Sequence, residues 1–243
     1  MQTTSALYKQ IVASSGHWFE TKIAIDGHEL AESQIISLKR ELPGMTQAKP
    51  SVGGALSATL ALTILAPAFT IPRMAEIDVY FRARNSTSTS EWLPAGVFFI
   101  DTRKHDKTAS GVSLLRITAY DAMMKAEQDY PDTNHNWPYT DRLVVAEIAA
   151  AIGVTVDSRS GTFLTCGYPV DMPVEASMRG VLENIAAMYG GNFVITKANK
   201  LLFVPLYGLD DANVSGLYLA CEDTEGNGGK AVIFGDEGWF ILV

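Results

Sequence analysis

Residues 71–121, IPRMAEIDVYFRARNSTSTSEWLPAGVFFIDTRKHDKTASGVSLLRITAYD, constrain the fold of this chain most strongly. They read as three long β-strands folded back on one another. From Glu76 to Arg84 the residues alternate: Ile77, Val79, Phe81 and Ala83 on one face, Glu76, Asp78, Tyr80, Arg82 and Arg84 on the other. A period of two marks a strand with one face in a core. The polar patch Asn85–Ser90 turns the chain, and Trp92–Arg103 returns through Val97, Phe98, Phe99 and Ile100. A second patch, Lys104–Gly111, is expected to turn it again, making Val112–Tyr120 the third strand. Loops rich in Ser, Thr, Asn and Gly between β-branched and aromatic runs are hairpin chemistry. None of these residues has the look of a catalyst. They build a scaffold, with Trp92, Phe98 and Phe99 expected in the core beneath the first hairpin.

The rest of the chain is consistent with a β-rich protein. Residues 4–14 predict a short helix with Leu7, Ile11 and Val12 along one side, ending at Gly16. Trp18–Ile25 alternates and leads into Asp26-Gly27, a hairpin dipeptide because both central positions of that turn need φ > 0. Gln34–Leu42 is a further strand candidate, followed by Pro43-Gly44 and a loop to Pro50. Ala55–Leu65 reads as one strand, bulky on one face (Leu56, Ala58, Leu60, Leu62, Ile64) and small on the other (Ala55, Ser57, Thr59, Ala61, Thr63). Such a strand packs on a core on one side and against a neighbouring subunit or a covering loop on the other.

After Tyr120 the pattern changes. Asp121 is placed to cap a short helix, DAMMKAEQD, by accepting from the first free backbone N–H groups. A proline-bounded loop, Tyr130–Tyr139, carries His135, Trp137 and Tyr139. A helical period runs from Thr140, as N-cap, through Leu143, Ile148 and Ile152 to Gly153. Val154–Val156 and Thr162–Thr165 read as short strands. Ser177 caps a second helix, whose Val181, Leu182, Ile185, Met188 and Tyr189 recur three and four apart. Asn192–Thr196 and Lys200–Pro205 form a hairpin across Lys197–Asn199. Residues 121–206 therefore read as a small module of two helices on a short sheet. From Tyr207 the pattern returns to β through Leu217–Ala220, Ala231–Phe234 and Trp239–Val243, and the apolar ending GWFILV is expected to continue in the natural product. The fold class is α+β and mainly β, with a first β region at 1–120, the α/β insert at 121–206 and a return to β at 207–243.

Composition narrows the function classes. With 19 basic against 27 acidic residues the net charge is −8, which argues against unassisted nucleic-acid binding, since that needs clustered Lys and Arg. Hydrophobic residues make up 47% and charged residues 19%, so the chain has the means to bury a core and is not disordered. Cys166 and Cys221 stand in no metal or redox spacing and read as small hydrophobic residues of a reduced compartment. No secretory signal opens the chain. The apolar run Ala55–Ile71 falls short of the roughly 20 residues a membrane helix needs and is interrupted by Ser57, Thr59, Thr63 and Pro67. A soluble protein made in the cytosol is the expectation.

Candidate chemistry is sparse. His17, His28, His105 and His135 lie in loops and at strand ends without an H-x-E, H-E-x-x-H or Cys-x-x-Cys pattern, so no metal site is predicted. No G-x-S-x-G elbow, Walker-type loop or G-x-G-x-x-G is present, and Gly190-Gly191 reads as a helix end. Asp210-Asp211 and EDTEGNGGK at 222–230 hold carboxylates but lack the spacing of a Ca²⁺ loop. The basic set Arg73, Arg82, Arg84, Arg103 and Lys104 gathers near the strand ends, suited to lining an interface or pairing with local acids. No catalytic, cofactor-binding or metal residue is assigned, and the chain is expected not to be an enzyme.

IPRMAEIDVYFRARN, SEWLPAGVFFIDTRKHD and ITAYDAMMKAEQDY resemble the N-terminal region of tail hub proteins of phages and prophages. SMRGVLENIAAMYGGNFVIT and LLFVPL resemble the helix and hairpin of the α/β insert of those proteins, and KAVIFGDEGWFILV the re-entry into the hub β domain. The resemblance implies a tail-tube-like β-barrel interrupted by a small two-helix α/β domain. It also implies a structural protein of the virion tail, a baseplate hub that assembles as a homotrimer mimicking a sixfold ring and joins tube to tip. Partners implied are further copies of the chain and other tail proteins, namely tube or distal tail, tape-measure, and tip or fibre proteins, with no direct nucleic-acid recognition and no membrane segment. A ring subunit needs long strands whose edges neighbours can cover. The hairpin centred on Asn85–Ser90 and the small-faced strand Ala55–Leu65 are the expected subunit contacts. The competing reading is a carbohydrate- or receptor-binding module of a tail tip, resting on exposure of Trp137 and Tyr139; a third, a peptidoglycan hydrolase, would need an acid/base pair or a metal site.

Overall fold

The structure, a computed structural model, describes residues 4–41, 52–131, 136–164 and 167–205, with the backbone alone of 218–222 and 230–234. Pro43-Gly44, His135, Thr165, Cys166, Asp210-Asp211 and Trp239–Val243, together with residues 223–229 of the acidic stretch, lie outside the described residues. The chain forms two compact units, Met1–Leu206 and Tyr207–Val243.

The first unit opens with helix α1 (Ala6–Ala13), started by Ser5, whose hydroxyl accepts from the Tyr8 amide. Ile11 is its one buried residue among those described, and Leu7 faces solvent. Strand β1 (Trp18–Ile25) turns through Asp26 and Gly27, both at positive φ as the dipeptide requires, into the two-residue β2 (His28–Glu29). β3 (Ile35–Glu41) follows. The expected single strand Ala55–Leu65 is instead two, β4 (Gly54–Leu56) and β5 (Thr59–Leu65), which belong to different sheets. β6 (Glu76–Arg84) and β8 (Ser113–Tyr120) match the alternation of their sequences. β7 (Leu93–Lys107) runs 15 residues, straight through Lys104–Lys107 where the polar patch predicts a turn, and the reversal falls at 108–112.

Seven strands make one sheet in the order β2-β1-β6-β7-β8-β5-β3, with every pairing antiparallel. The sheet curls into a half-barrel. Arg40 on β3 donates to the carbonyl of Ala95 on β7, three strands away, a span of roughly 14 Å in a flat sheet. That carbonyl is left over by a bulge where Val79 pairs with Gly96 and Tyr80 with Pro94. The concave face is the first core: Ile23, Ile25, Leu60, Leu62, Ile64, Ile77, Val79, Phe98, Leu115 and Ile117 are all buried. Phe98 is there as expected. Phe99, its neighbour, points to the convex face and joins the second core, and Trp92 belongs to neither.

The second core belongs to the α/β module. Asp121 caps a 3-10 helix, Ala122–Glu127, rather than an α-helix. β9 (Tyr139–Thr140) precedes α2 (Asp141–Ala151), where Thr140 occupies the N-cap position without a side-chain bond and the Asp141 carboxylate accepts from the Arg142 amide. β10 (Thr155–Val156) is followed by a second 3-10 helix, Ser158–Thr162, in place of the start of the expected Thr162–Thr165 strand. Asp157 accounts for the change: its carboxylate accepts from the Arg159 amide and guanidinium, an N-cap that starts a helical turn. β11 (Pro169–Val170) pairs with β9. α3 (Met178–Met188) is capped by Ser177, which accepts from Gly180, and buries Val181, Leu182 and Ile185 while Met188 stays exposed. β12 (Gly191–Ile195) and β13 (Lys200–Pro205) form the expected hairpin.

This second sheet has the order β10-β13-β12-β4, so the α/β module takes its edge strand from residues 54–56, far upstream of the rest. Ala55, Phe193, Ile195, Leu201 and Phe203 meet α2, α3 and Phe99 in its core. Ser177→Ala removes one acceptor from the start of α3, and we expect a loss of about 1 kcal/mol, seen as a melting temperature lower by about 2–4 °C. In the second unit, β14 (Tyr218–Glu222) and β15 (Lys230–Phe234) pair antiparallel with Tyr218 opposite Phe234.

Candidate assembly surfaces

The convex face of β1 and β6 carries an ordered row of charges and rings. Register fixes it: Trp18 lies opposite Arg84, Glu20 opposite Arg82, Lys22 opposite Tyr80 and Ala24 opposite Asp78. Glu20 receives Arg82 at 2.7 Å and Arg84 at 2.8 Å, and these two guanidiniums, Arg84 first, hold its carboxyl below the usual range. Arg82 lies 4.2 Å from the centre of the Trp92 ring, Lys22 lies 5.4 Å from it, and Arg84 lies 5.8 Å from the Trp18 ring. Trp92 is thus held on the surface by cations. Asp78 completes the row, its carboxyl pushed up by burial against the pull of Lys22.

Of the basic set that stands out in the sequence, Arg82 and Arg84 meet here. Arg103 faces the other way, opposite Ile117, and donates to the carbonyl of Ile71. Lys104 is exposed opposite Arg116, which pairs with Asp106 at 3.2 Å, and Arg73 is exposed in the connection before β6. The five residues therefore lie in four places. Glu20, the acidic partner of Arg82 and Arg84, is visible in the sequence as part of an alternating strand, but only the β1–β6 register shows whom it serves.

The large sheet ends in two free edges among the described residues, β2 and β3. β3 is the longer, and three features guard it against indiscriminate pairing. A bulge throws Ile36 outward, 54% exposed; Lys39 and Glu41 pair at 2.5 Å on the convex side; Arg40 points inward. Beside this edge lies the small face of β5, with Ala61 exposed between Lys39 and Thr118, and Thr63 between Ser37 and Arg116. β7 supplies a further exposed stretch, because β6 pairs with it only as far as Phe99 while its residues 101–107 run on beside β8. Among the described residues no three His, Cys, Asp or Glu side chains gather where they could hold a metal ion, and no helix is long and apolar enough to cross a membrane.

The loop aromatics lie inward. Trp137 and Tyr139 are partly buried against the α/β core, with ring centres 5.9 Å apart, and Tyr130 lies 6.2 Å from Trp137. The Tyr130 hydroxyl donates to Glu147, and its pKa is raised, first by burial and then by that carboxylate. These contacts tie Trp137 and Tyr139 to their own module.

No family model matches this sequence, and no curated protein matches it. Solved structures do. The 43 kDa tail protein of prophage MuSo2 from Shewanella oneidensis superposes with a TM-score of 0.53 at 10% identity, over 79% of this chain and 57% of that one. A tail protein from Neisseria meningitidis MC58 gives 0.50 at 11% identity, over 90% of this chain and 67% of that one. The fold is one that these two tail proteins carry. The chain spans a little over half of the first of these tail proteins and about two thirds of the second. The concave face of the half-barrel is filled by the first core, which leaves its edges and the row on β1 and β6 as candidate contact surfaces among the described residues.

Proposed function

We propose that this chain is a structural component of a phage or prophage tail, and within the tail a hub or baseplate protein linking the tube to the tip. The observation that carries the reading is the shared fold with two tail proteins, one of them of a prophage, across most of the chain. Its physical support is a half-barrel whose long β3 edge is guarded and, among the described residues, uncovered, as a subunit needs if neighbours are to complete the ring. The chain acts through contacts, without chemistry of its own. Its partners are further copies of itself, as a homotrimer, and the tube or distal tail, tape-measure, and tip or fibre proteins. Its place is the virion tail, after synthesis in the host cytoplasm.

Solution mass by light scattering over a wide concentration range tests this. We expect a trimer or larger closed ring, and Ala61→Arg on the small face of β5 should return it to monomer without lowering the melting temperature by more than a few degrees. A monomer at every concentration would overturn the placing of the ring contacts within these residues, and an Ala61→Arg ring unchanged in mass would move them off β5.

A further inference from the structure

Two neighbouring strands of the large sheet, β5 and β8, enter the α/β module side by side, and one carboxylate ties both crossings. β4 becomes β5 at Ser57-Ala58, and β8 becomes the 3-10 helix at Asp121. Asp121 is 3% exposed. Its Oδ1 accepts from the Ser57 hydroxyl at 2.8 Å and from the Met123 amide at 3.1 Å; its Oδ2 accepts from the Ala58 amide at 2.7 Å. The Asp121 amide in turn donates to the Ala58 carbonyl at 3.1 Å. A crevice of about 10 Å³, room for about one water, opens beside it between Gly96-Val97 of β7 and Thr196-Lys197 at the tip of the β12–β13 hairpin.

The charged groups around this carboxylate do not neutralise it by contact. Arg179 of α3 pulls on it from a distance, while its guanidinium pairs with Glu127 at 3.0 Å and reaches the Met123 carbonyl at 3.3 Å. Lys125, on the same 3-10 helix, lies over the Phe99 ring at 3.5 Å. Lys197 lines the crevice and lies 5.5 Å from the Phe81 ring. From β5 and β8 the nearest residues are Ser57, Ala58, Thr59 and Tyr120, which bring no charge at neutral pH. Burial without a contacting cation disfavours the charged form of this carboxylate, while the three donors on its oxygens work the other way.

The geometry also offers the proton a place. A proton on Oδ1 can be donated to Ser57 Oγ, whose own hydrogen then turns to the Ala58 carbonyl 3.4 Å away. Oδ2 keeps the Ala58 amide throughout. We propose that Asp121 is a proton-operated clamp on the junction between the half-barrel and the α/β module, holding more tightly when its carboxyl is protonated.

The direction in pH follows from linkage. Burial pushes the Asp121 carboxyl up to about 6, against the hydrogen bonds from Ala58, Ser57 and Met123 and the pull of Arg179, from an ordinary value of 3.8. The closed junction therefore binds the proton more tightly than the opened one. The clamp is strongest below the ordinary value, weakens as pH rises towards 6, and is level above that. Amide exchange of Ala58 and Met123, corrected for the intrinsic rate, reads this in the intact chain. Between pH 4.5 and 7 their protection should fall about twenty-fold. Asp121→Asn should abolish this fall. Should that variant not fold, the side-chain carboxyl of Asp121 titrated by NMR in the natural chain decides the matter, with a midpoint near 6 expected. A midpoint in the ordinary carboxylate range, or an unchanged fall in Asp121→Asn, would each overturn the clamp.

Discussion

Phe98→Asp is expected to leave no soluble, folded protein. Phe98 is 1% exposed on the concave face, in one core with Ile23, Leu60, Leu62, Ile77 and Ile117. An aspartate there has no partner among these side chains, and burying an unpaired charge costs many kcal/mol unless the group neutralises itself, which is itself expensive. Against a total stability of about 5–15 kcal/mol the loss is decisive. Phe98→Ala separates the lost packing from the charge and should cost about 3–5 kcal/mol. The ring also packs on the bulge, since a Cβ on Gly96 would come within 2.7 Å of it, so shortening it loosens the turn-in of β7 as well. The control is Trp92→Ala, on the convex face under Arg82, with a loss of about 1 kcal/mol expected. Soluble yield and thermal melting by circular dichroism distinguish the three. Cooperatively melting Phe98→Asp protein would show that β7 does not line the core in this register.

The same elements show what the sequence could and could not disclose. β1, β6 and β8 have one buried and one open face, so alternation fixes both the strand and its orientation. The break between β4 and β5 leaves no local mark, because residues 54–65 alternate without interruption. It is imposed by Asp121, more than sixty residues downstream, which takes the Ser57 hydroxyl and the Ala58 amide out of the strand pattern. The far end of β7 is hidden for the opposite reason. Thr102–Lys107 is exposed along most of its length and held by its ladder with β8, so it needs no apolar alternation and its charges imitate a turn. Trp92 has the composition of a core residue, and only the register of β1 with β6 puts Arg82 and Lys22 against it. The candidate assembly surfaces are partly legible for this reason: the small face of β5 and the arginines can be named from sequence, but the guarded edge at β3 depends on a bulge and on where Arg40 points.

The second large effect is expected at Gly191, where β12 begins. A Cβ at this position would press into Cζ of Phe203 and stand 2.5 Å from the carbonyl oxygen of Val204. The first neighbour is a ring with 1% exposure, touching Phe193, Tyr189 and Phe163 at centroid distances of 5.3, 6.0 and 5.9 Å. The second is backbone, pinned by the ladder in which Gly191 pairs with Pro205 and Asn192 with Val204. Neither can withdraw alone. Moving Phe203 displaces Tyr189, whose hydroxyl donates to the fully buried Asp141 at the start of α2, so the strain reaches both helices. Overpacking of this kind costs about 1–3 kcal/mol, and the buried hydrogen bond at Asp141 places Gly191→Ala at the upper end. At about 2–4 °C per kcal/mol for a chain of this size, the melting temperature should fall by about 5–10 °C. Near-ultraviolet circular dichroism should change with it, because the aromatic cluster is what moves. A Gly191→Ala protein melting within a degree of the natural chain would mean that β12 and β13 do not approach this closely, and that the α/β core is packed around a different contact.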